Sequence, residues 1–446
     1  MFEAHPVAWQ NLESSVDDLH TIRLRGRIEE VVGLLTLSRG PGGSIGDLVF
    51  IYPGGNHPPI PAEIVGFRAG RVILMPLGPA LGVYPGAEVI STGAPMRIRC
   101  GPEMLGRVID GVGYPIDGKG TMITDEWRSI IARPPSAIAR RRITTPLATG
   151  IKALDGFLTW GRGQRIGVFS GSGVGKSTLM GMIARNTEAE VNVIALIGER
   201  GREVREFLEK DLGEDGLKRS VVIVVTSDNP ALLRVKGAFA AITVAEFFRD
   251  QGKDVMFMMD SVTRLAMAQR EVGLAAGEPP TTRGYTPSVF AMLPGFLERA
   301  GTSIDEGSIT GLFTVLVEGD DMNEPVADAV RGILDGHVVL SRKLATRSHY
   351  PAIDVQQSIS RLMVDIVPED HYLAARRLVQ VISVYRDSED LINIGAYQKG
   401  SSPEIDLSIQ MIGPIEEFLR QPIRQEISYE EVIKQVKVLA AKAGLK

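Results

Sequence analysis

From Ile22 to about Pro95 the apolar residues come in short, β-branched runs, RLRGRIEEVVGLLTL, GDLVFIY and RVILMPL, cut by clusters of Gly and Pro. Short runs bounded by turn-forming residues predict strands, here those of a small all-β barrel. Upstream, Trp9, Leu12, Val16 and Leu19 follow Pro6 at helical spacing. They predict one short amphipathic helix, serving either as a docking segment or as packing on its own barrel.

A different rhythm begins at Gly163. The runs RIGVFS, VNVIALIGE, SVVIVVTSD, DVMFMMD and TGLFTVLVEGDD alternate with helical stretches as far as about Leu340. Such alternation builds a mostly parallel sheet with helices on both faces, and ligands bind such sheets beyond the carboxyl ends of the strands. After about Ala345 the strand signals fade, and DHYLAARRLVQVISVYRD and YEEVIKQVKVLAAKAG carry helical periodicity. The expected class is α/β: an N-terminal segment over 1–20, a β-barrel over 21–95, a parallel-sheet domain over 96–344 and a helical domain over 345–446.

Composition narrows this picture only slightly. A chain of 446 residues is too long for one ordinary core, and 44% hydrophobic with 23% charged residues is globular usage. The net charge of -5 argues against a surface that attracts nucleic acid as a whole. Cys100 is the only cysteine, so no internal disulfide or cysteine-rich metal site is possible, and it reads as a small filler without a role. Neither a signal-like start nor about 18 consecutive apolar residues occurs, so a cytoplasmic protein is expected. The stretch 127–146, with Pro134, Pro135, Arg140, Arg141 and Arg142, reads as a linker whose charges are solvated; a nucleic-acid or acidic-lipid contact is the sharper alternative.

The chemistry begins where a strand-like run meets a helical one. Between RIGVFS and LMGMIARN the chain reads Gly171, Ser172, Gly173, Val174, Gly175, Lys176, Ser177, Thr178. Glycines there let backbone N–H groups converge on phosphate oxygens, and the following helix points its positive end at them. Lys176 would contact the β and γ phosphates of ATP, Ser177 would ligate Mg²⁺ through its hydroxyl, and Thr178 is secondary. The usual loop opens with Gly where this chain has Ser170. A second Mg²⁺ contact needs a carboxylate at the end of a neighbouring apolar strand, as Asp260 ends VMFMMD. Water, a poor nucleophile, needs a positioned base. Glu199, ending VIALIGE, is placed for that task, and an ion pair with Arg200 or Arg202 is the plainer alternative.

Six segments in one order then carry a resemblance: LGRVIDGVGYPID at 105–117, GSGVGKST, GERGREV at 198–204, MDSVTRLAMAQRE at 259–271, GYTPSVFAMLP at 284–294 and HYPAIDVQQSISR at 349–361. Beyond about residue 20 the chain resembles the catalytic subunits of rotary ATP synthases and their relatives in type III protein export. The segments ALIGERGREV, EGDD and IGAYQKGS look most like the flagellum-specific export ATPase (FliI) family, and the acidic DELSEED-type segment of a synthase catalytic subunit is absent. The resemblance implies a RecA-like ATPase domain. It gives Glu199 the role of the base that orients the attacking water and Arg200 that of tuning it. Tyr350 resembles the ring that stacks on adenine, Phe418 looks like the other side of that pocket, and Arg361 resembles an arginine finger inserted into the adjacent subunit.

One chain thus carries loop, base and finger, so a homohexamer with sites at its interfaces is expected, since a head-to-tail contact closes into a ring. The resemblance further implies export of flagellar proteins, with a stator-like regulator (FliH), a stalk protein (FliJ), an export gate and chaperone–cargo complexes as partners, and peripheral contact with the inner membrane. No nucleic acid is expected as a ligand. The ATPase of a virulence-type injector shares these motifs. An RNA-translocating hexamer would want interleaved aromatic and cationic residues on one barrel face, where Phe50, Tyr52 and Phe67 are few. A non-catalytic nucleotide-binding ring subunit is at odds with intact Lys176, Glu199 and Asp260.

Overall fold

The computed structural model describes residues 23–445 except Asp125, Glu318 and Asp320. The helix expected over 1–20 lies outside them. Six strands, β1 (Arg25–Val32), β2 (Leu35–Arg39), β3 (Asp47–Tyr52), β4 (Ile60–Arg68), β5 (Arg71–Pro76) and β6 (Glu88–Pro95), close into a barrel in the order β1-β2-β5-β4-β3-β6. Closure leaves no open sheet edge. Alternate residues turn inward, and Ile28, Val49, Ile51, Ile64, Leu74 and Val89 fill the interior, none more than 2% exposed.

The main sheet orders its strands as Ile359–Ser360, Gly336–Leu340, Arg165–Ser170, Ser308–Leu316, Asp254–Asp260, Val191–Ile197, Ser220–Val225 and Arg107–Asp110. All neighbours along this path are parallel except the first pair. Its side chains alternate between two cores. Phe169, Val193, Ala195, Phe257 and Phe313 pack against the helices Ala231–Asp250 and Val262–Ala276, while Val168, Ile194, Leu196, Met258 and Leu312 pack on the side of the helix Lys176–Asn186. The carboxyl ends of the central strands therefore open on one rim, where Ser170, Ile197 and Asp260 stand together.

Three long helices, Glu369–Asn393, Pro403–Leu419 and Tyr429–Lys442, make up the C-terminal part. The expected class, a small barrel followed by a parallel-sheet domain and a helical region, is the one observed. The sheet also takes the pair Ile359–Ser360 from beyond residue 344, laid antiparallel on Gly336 and His337. Among the described residues no helix is long and apolar enough to cross a membrane.

The arginine run needs a correction. Arg140 donates to the carbonyls of Ala300 (3.0 Å) and Glu298, and Arg141 to that of Glu306, so two of the three guanidinium groups bind main-chain oxygens rather than water alone. A linker's composition cannot reveal which carbonyls it will cross. Cys100 is fully buried, and burial pushes its thiol up to about 12, as befits an inert filler.

Candidate active site

The strand Arg165–Ser170 stops at the sheet rim, and the turn 171–175 hands the chain to the helix Lys176–Asn186. Gly173 and Gly175 take φ of 76° and 99°, the left-handed region that a side chain strains. A Cβ at Gly175 would stand 3.6 Å from Cε1 of Tyr350, so the tyrosine ring lies against the loop. Tyr350 is 46% exposed there. Ser177 and Thr178 are half-buried in the first turn of the helix.

Lys176 Nζ donates to Asp260 Oδ1 and stands 4.0 Å from Glu199 Oε1. Thr314, on the adjacent strand, donates its hydroxyl to the same Asp260 oxygen at 2.9 Å and lies 3.1 Å from the Met259 carbonyl. Glu199 follows its strand through Gly198, whose φ is 74°. Its backbone is tied down on the far side, since Ser227 N–H donates to the Glu199 carbonyl at 3.0 Å. The carboxylate is buried, and Oε1 has no hydrogen-bond partner. Burial first, and then the Asp260 charge, push its pKa up to about 7, against the pull of Lys176. An orphaned carboxylate oxygen beside a phosphate-type loop, titrating near neutrality, suits the holding of a water molecule.

The cations around Glu199 are not the ones the sequence suggested. Arg200 turns outward to Glu203 at 3.3 Å, with its side chain 70% exposed, while Arg264 Nε stands 3.9 Å from Glu199 Oε1. Sequence reasoning missed Arg264 and Thr314. For Arg264 a signal existed: it sits one turn into the helix capped by Ser261, directly after Asp260. Thr314 carried none beyond a hydroxyl in an apolar strand.

Phe418 is 7% exposed, with its ring 6.1 Å from that of Phe157 in the core beneath the C-terminal helices. Three residues on, Gln421 N–H donates to the Tyr350 carbonyl at 3.0 Å, and its side-chain amide donates to Gly150 O at 2.8 Å. The segment after Phe418 thus holds the tyrosine's backbone, while the phenylalanine ring is occupied by packing. Arg361 is exposed and lies away from the loop of its own chain. Its N–H donates to Asp335 O at 3.1 Å, just before the strand whose other end, Leu340, pairs with Ser170. The five-residue strand Gly336–Leu340 spans four rises, about 13 Å, between those ends.

Relatives carry the same architecture. A family model described as the ATP synthase alpha/beta family, nucleotide-binding domain, matches residues 150–360, and the T3SS EscN ATPase C-terminal domain matches 367–437. The flagellum-specific ATP synthase of Bacillus subtilis (strain 168) is 53% identical over 425 residues, 95% of this chain and 97% of that protein. Among solved structures, the assembled ATPase EscN from the enteropathogenic E. coli type III secretion system is similar at a TM-score of 0.88 and 45% identity, covering 93% of this chain and 100% of that one. EscN in complex with its central stalk EscO gives 0.87 and 44% over the same shares. Nucleotide loop, buried base-like carboxylate and full-length similarity agree: the chain belongs to the flagellar and type III secretion ATPases of the ATP synthase alpha/beta family.

Proposed function

We propose that this chain forms a homohexameric ring whose ATP sites lie between subunits, and that hydrolysis there drives flagellar protein export. One observation carries the reading. Lys176, Glu199 and Asp260 converge at one rim of the sheet, while Arg361 stands exposed near the opposite end of a neighbouring strand. A finger that cannot serve its own loop is free to serve an adjacent copy's. Head-to-tail contacts of that kind close into rings.

In this reading the backbone N–H groups of 171–175 and the Lys176 ammonium hold the ATP phosphates. Glu199 holds the attacking water and accepts its proton. Arg361 of the next copy meets charge developing on the transferring phosphoryl. Tyr350 stacks on adenine. Ser177 and Asp260 offer hard oxygen donors of the type Mg²⁺ takes. Among the described residues no group of three or more His, Cys, Asp or Glu side chains could hold an ion alone, which fits an ion coordinated jointly with substrate phosphates. Bound there, Mg²⁺ supplies neutralisation of phosphate charge.

The flagellar assignment follows the higher identity to a flagellar relative, and the injector remains the second reading because EscN is similar over nearly the whole chain. By likeness to EscN with its central stalk, a stalk protein is the first partner to expect. A stator-like regulator, an export gate at the inner membrane and chaperone–cargo complexes complete the set. Turnover per chain measured against protein concentration, paired with mass measurement with and without nucleotide and Mg²⁺, tests the ring. Turnover should rise with assembly; equal turnover per chain in monomer and ring would overturn it.

A further inference from the structure

We infer that Thr314 is a positioning residue for Asp260, holding one carboxylate oxygen so that the other is presented to the metal side of the nucleotide. The inference rests on the reading of Asp260 given above.

Thr314 is fully buried in the strand Ser308–Leu316, whose Phe313 is in register with Met259. The next position along each strand therefore sets Thr314 beside Asp260, on the sheet face that carries Lys176. Its neighbours two residues away on that face are Leu312 and Leu316, and apolar side chains fill the core below. Valine would match the volume of threonine there and avoid burying a hydroxyl, which stabilises only when its hydrogen bond is made. The hydroxyl lies within hydrogen-bond reach of two acceptors, Asp260 Oδ1 at 2.9 Å and the Met259 carbonyl at 3.1 Å, and the nearer, charged oxygen is the stronger acceptor for its one proton.

Asp260 Oδ1 also accepts from Lys176, the residue that phosphate oxygens must attract. Once Lys176 turns to phosphate, the buried Asp260 loses its charge-assisted donor. The Thr314 hydroxyl stays, because it belongs to a strand and not to the loop. It keeps Oδ1 engaged and fixes the rotation of the carboxylate, so that Oδ2 would be the oxygen left for the ion. Thr314 touches neither nucleotide nor water in this scheme and acts through Asp260.

The test compares binding of a fluorescent ATP analogue in excess Mg²⁺ and in EDTA for the wild type, Thr314→Val, Thr314→Ala and Thr314→Ser. In wild type Mg²⁺ strengthens binding. In Thr314→Val and Thr314→Ala that gain shrinks about tenfold, the scale of one hydrogen bond to a charged group. Affinity in EDTA stays within about twofold, because the loop is untouched, and Thr314→Ser restores the gain. A full gain in Thr314→Val overturns the inference alone. An equal loss in EDTA and in Mg²⁺ also overturns it, since damage to packing makes no distinction between them. A wild type with no gain overturns the assignment of Asp260 and the inference with it. Thr314→Ala removes the hydroxyl without adding bulk, so a folding failure of the valine variant leaves the question decidable.

Discussion

Lys176 and Asp260 form a direct hydrogen-bonded ion pair in which the ammonium side chain is 12% and the carboxylate 5% exposed. A pair that dry is costly to break from one side, since the remaining charge is left buried and uncompensated, at about 3–5 kcal/mol. Lys176→Met is therefore expected to lower stability by that amount without nucleotide, and Lys176→Met with Asp260→Asn to recover most of it. Urea titration of the single and double variants measures the coupling. Additive losses would show that the two charges stabilise the fold independently.

Glu199 ties activity to pH. With a pKa near 7, set by burial and the Asp260 charge, its carboxylate is protonated and unable to accept a proton from water in mild acid. The acid limb of kcat/KM should bend near pH 7 and fall about tenfold per unit below it. Glu199→Gln should keep nucleotide binding, lose about 10² to 10⁴ in turnover and lack that limb. Stability runs the other way. The folded chain keeps a proton on Glu199 that the unfolded chain releases above about 4.5, so this group costs stability as pH rises through the window up to about 7. Glu199→Gln should therefore be more stable than wild type at pH 8, with the difference vanishing below about pH 4.5. A constant difference across that range would reject the assignment.

Local signals made much of this legible in advance. The loop at 171–178 is a matter of backbone shape and helix polarity, both encoded within a dozen residues, and Asp260 at the end of its strand and Glu199 two residues past its own follow from the apolar runs. Thr314 was not legible, because the sheet sets the strand Ser308–Leu316 between Arg165–Ser170 and Asp254–Asp260, an order no local pattern specifies, whereas Arg264, one turn into the helix that follows Asp260, carried a local signal. Arg200 was legible as a cation beside Glu199 in sequence, but the helix Gly201–Glu206 that starts after it turns its side chain out to Glu203. For Phe418 the chain alone could not separate a pocket wall from a core residue; the ring is buried 6.1 Å from that of Phe157, which adds a packing role without testing the pocket one.

Tyr350 and Phe418 should separate by the quantity that changes. Stacking of a base on an aromatic ring is worth about 1–3 kcal/mol, so Tyr350→Ala should raise KM for ATP about tenfold or more, and Tyr350→Phe should leave it near wild type. Phe418→Ala should act on stability instead, by about 3–5 kcal/mol, because a buried ring is lost from a packed core. Steady-state kinetics paired with thermal unfolding distinguishes them. A raised KM in a fully folded Phe418→Ala would return that ring to the nucleotide pocket.

Arg361 gives the sharpest test of a site shared between copies. Its position beside Asp335, near the opposite end of a strand from the loop of its own chain, leaves it nothing to do for its own phosphates. Arg361→Ala should lower turnover by about 10³ to 10⁵, the range of an arginine finger, while each chain still binds ATP. Lys176→Ala should fail from the other side, by losing its grip on phosphate. In rings mixed equally from the two, roughly one interface in four pairs an intact loop with an intact finger. Activity should return in proportion to those interfaces and follow the mixing ratio with a maximum at equal amounts. Mixed rings verified by mass that stay inactive at every ratio would confine each site to a single chain and leave Arg361 an ordinary surface cation.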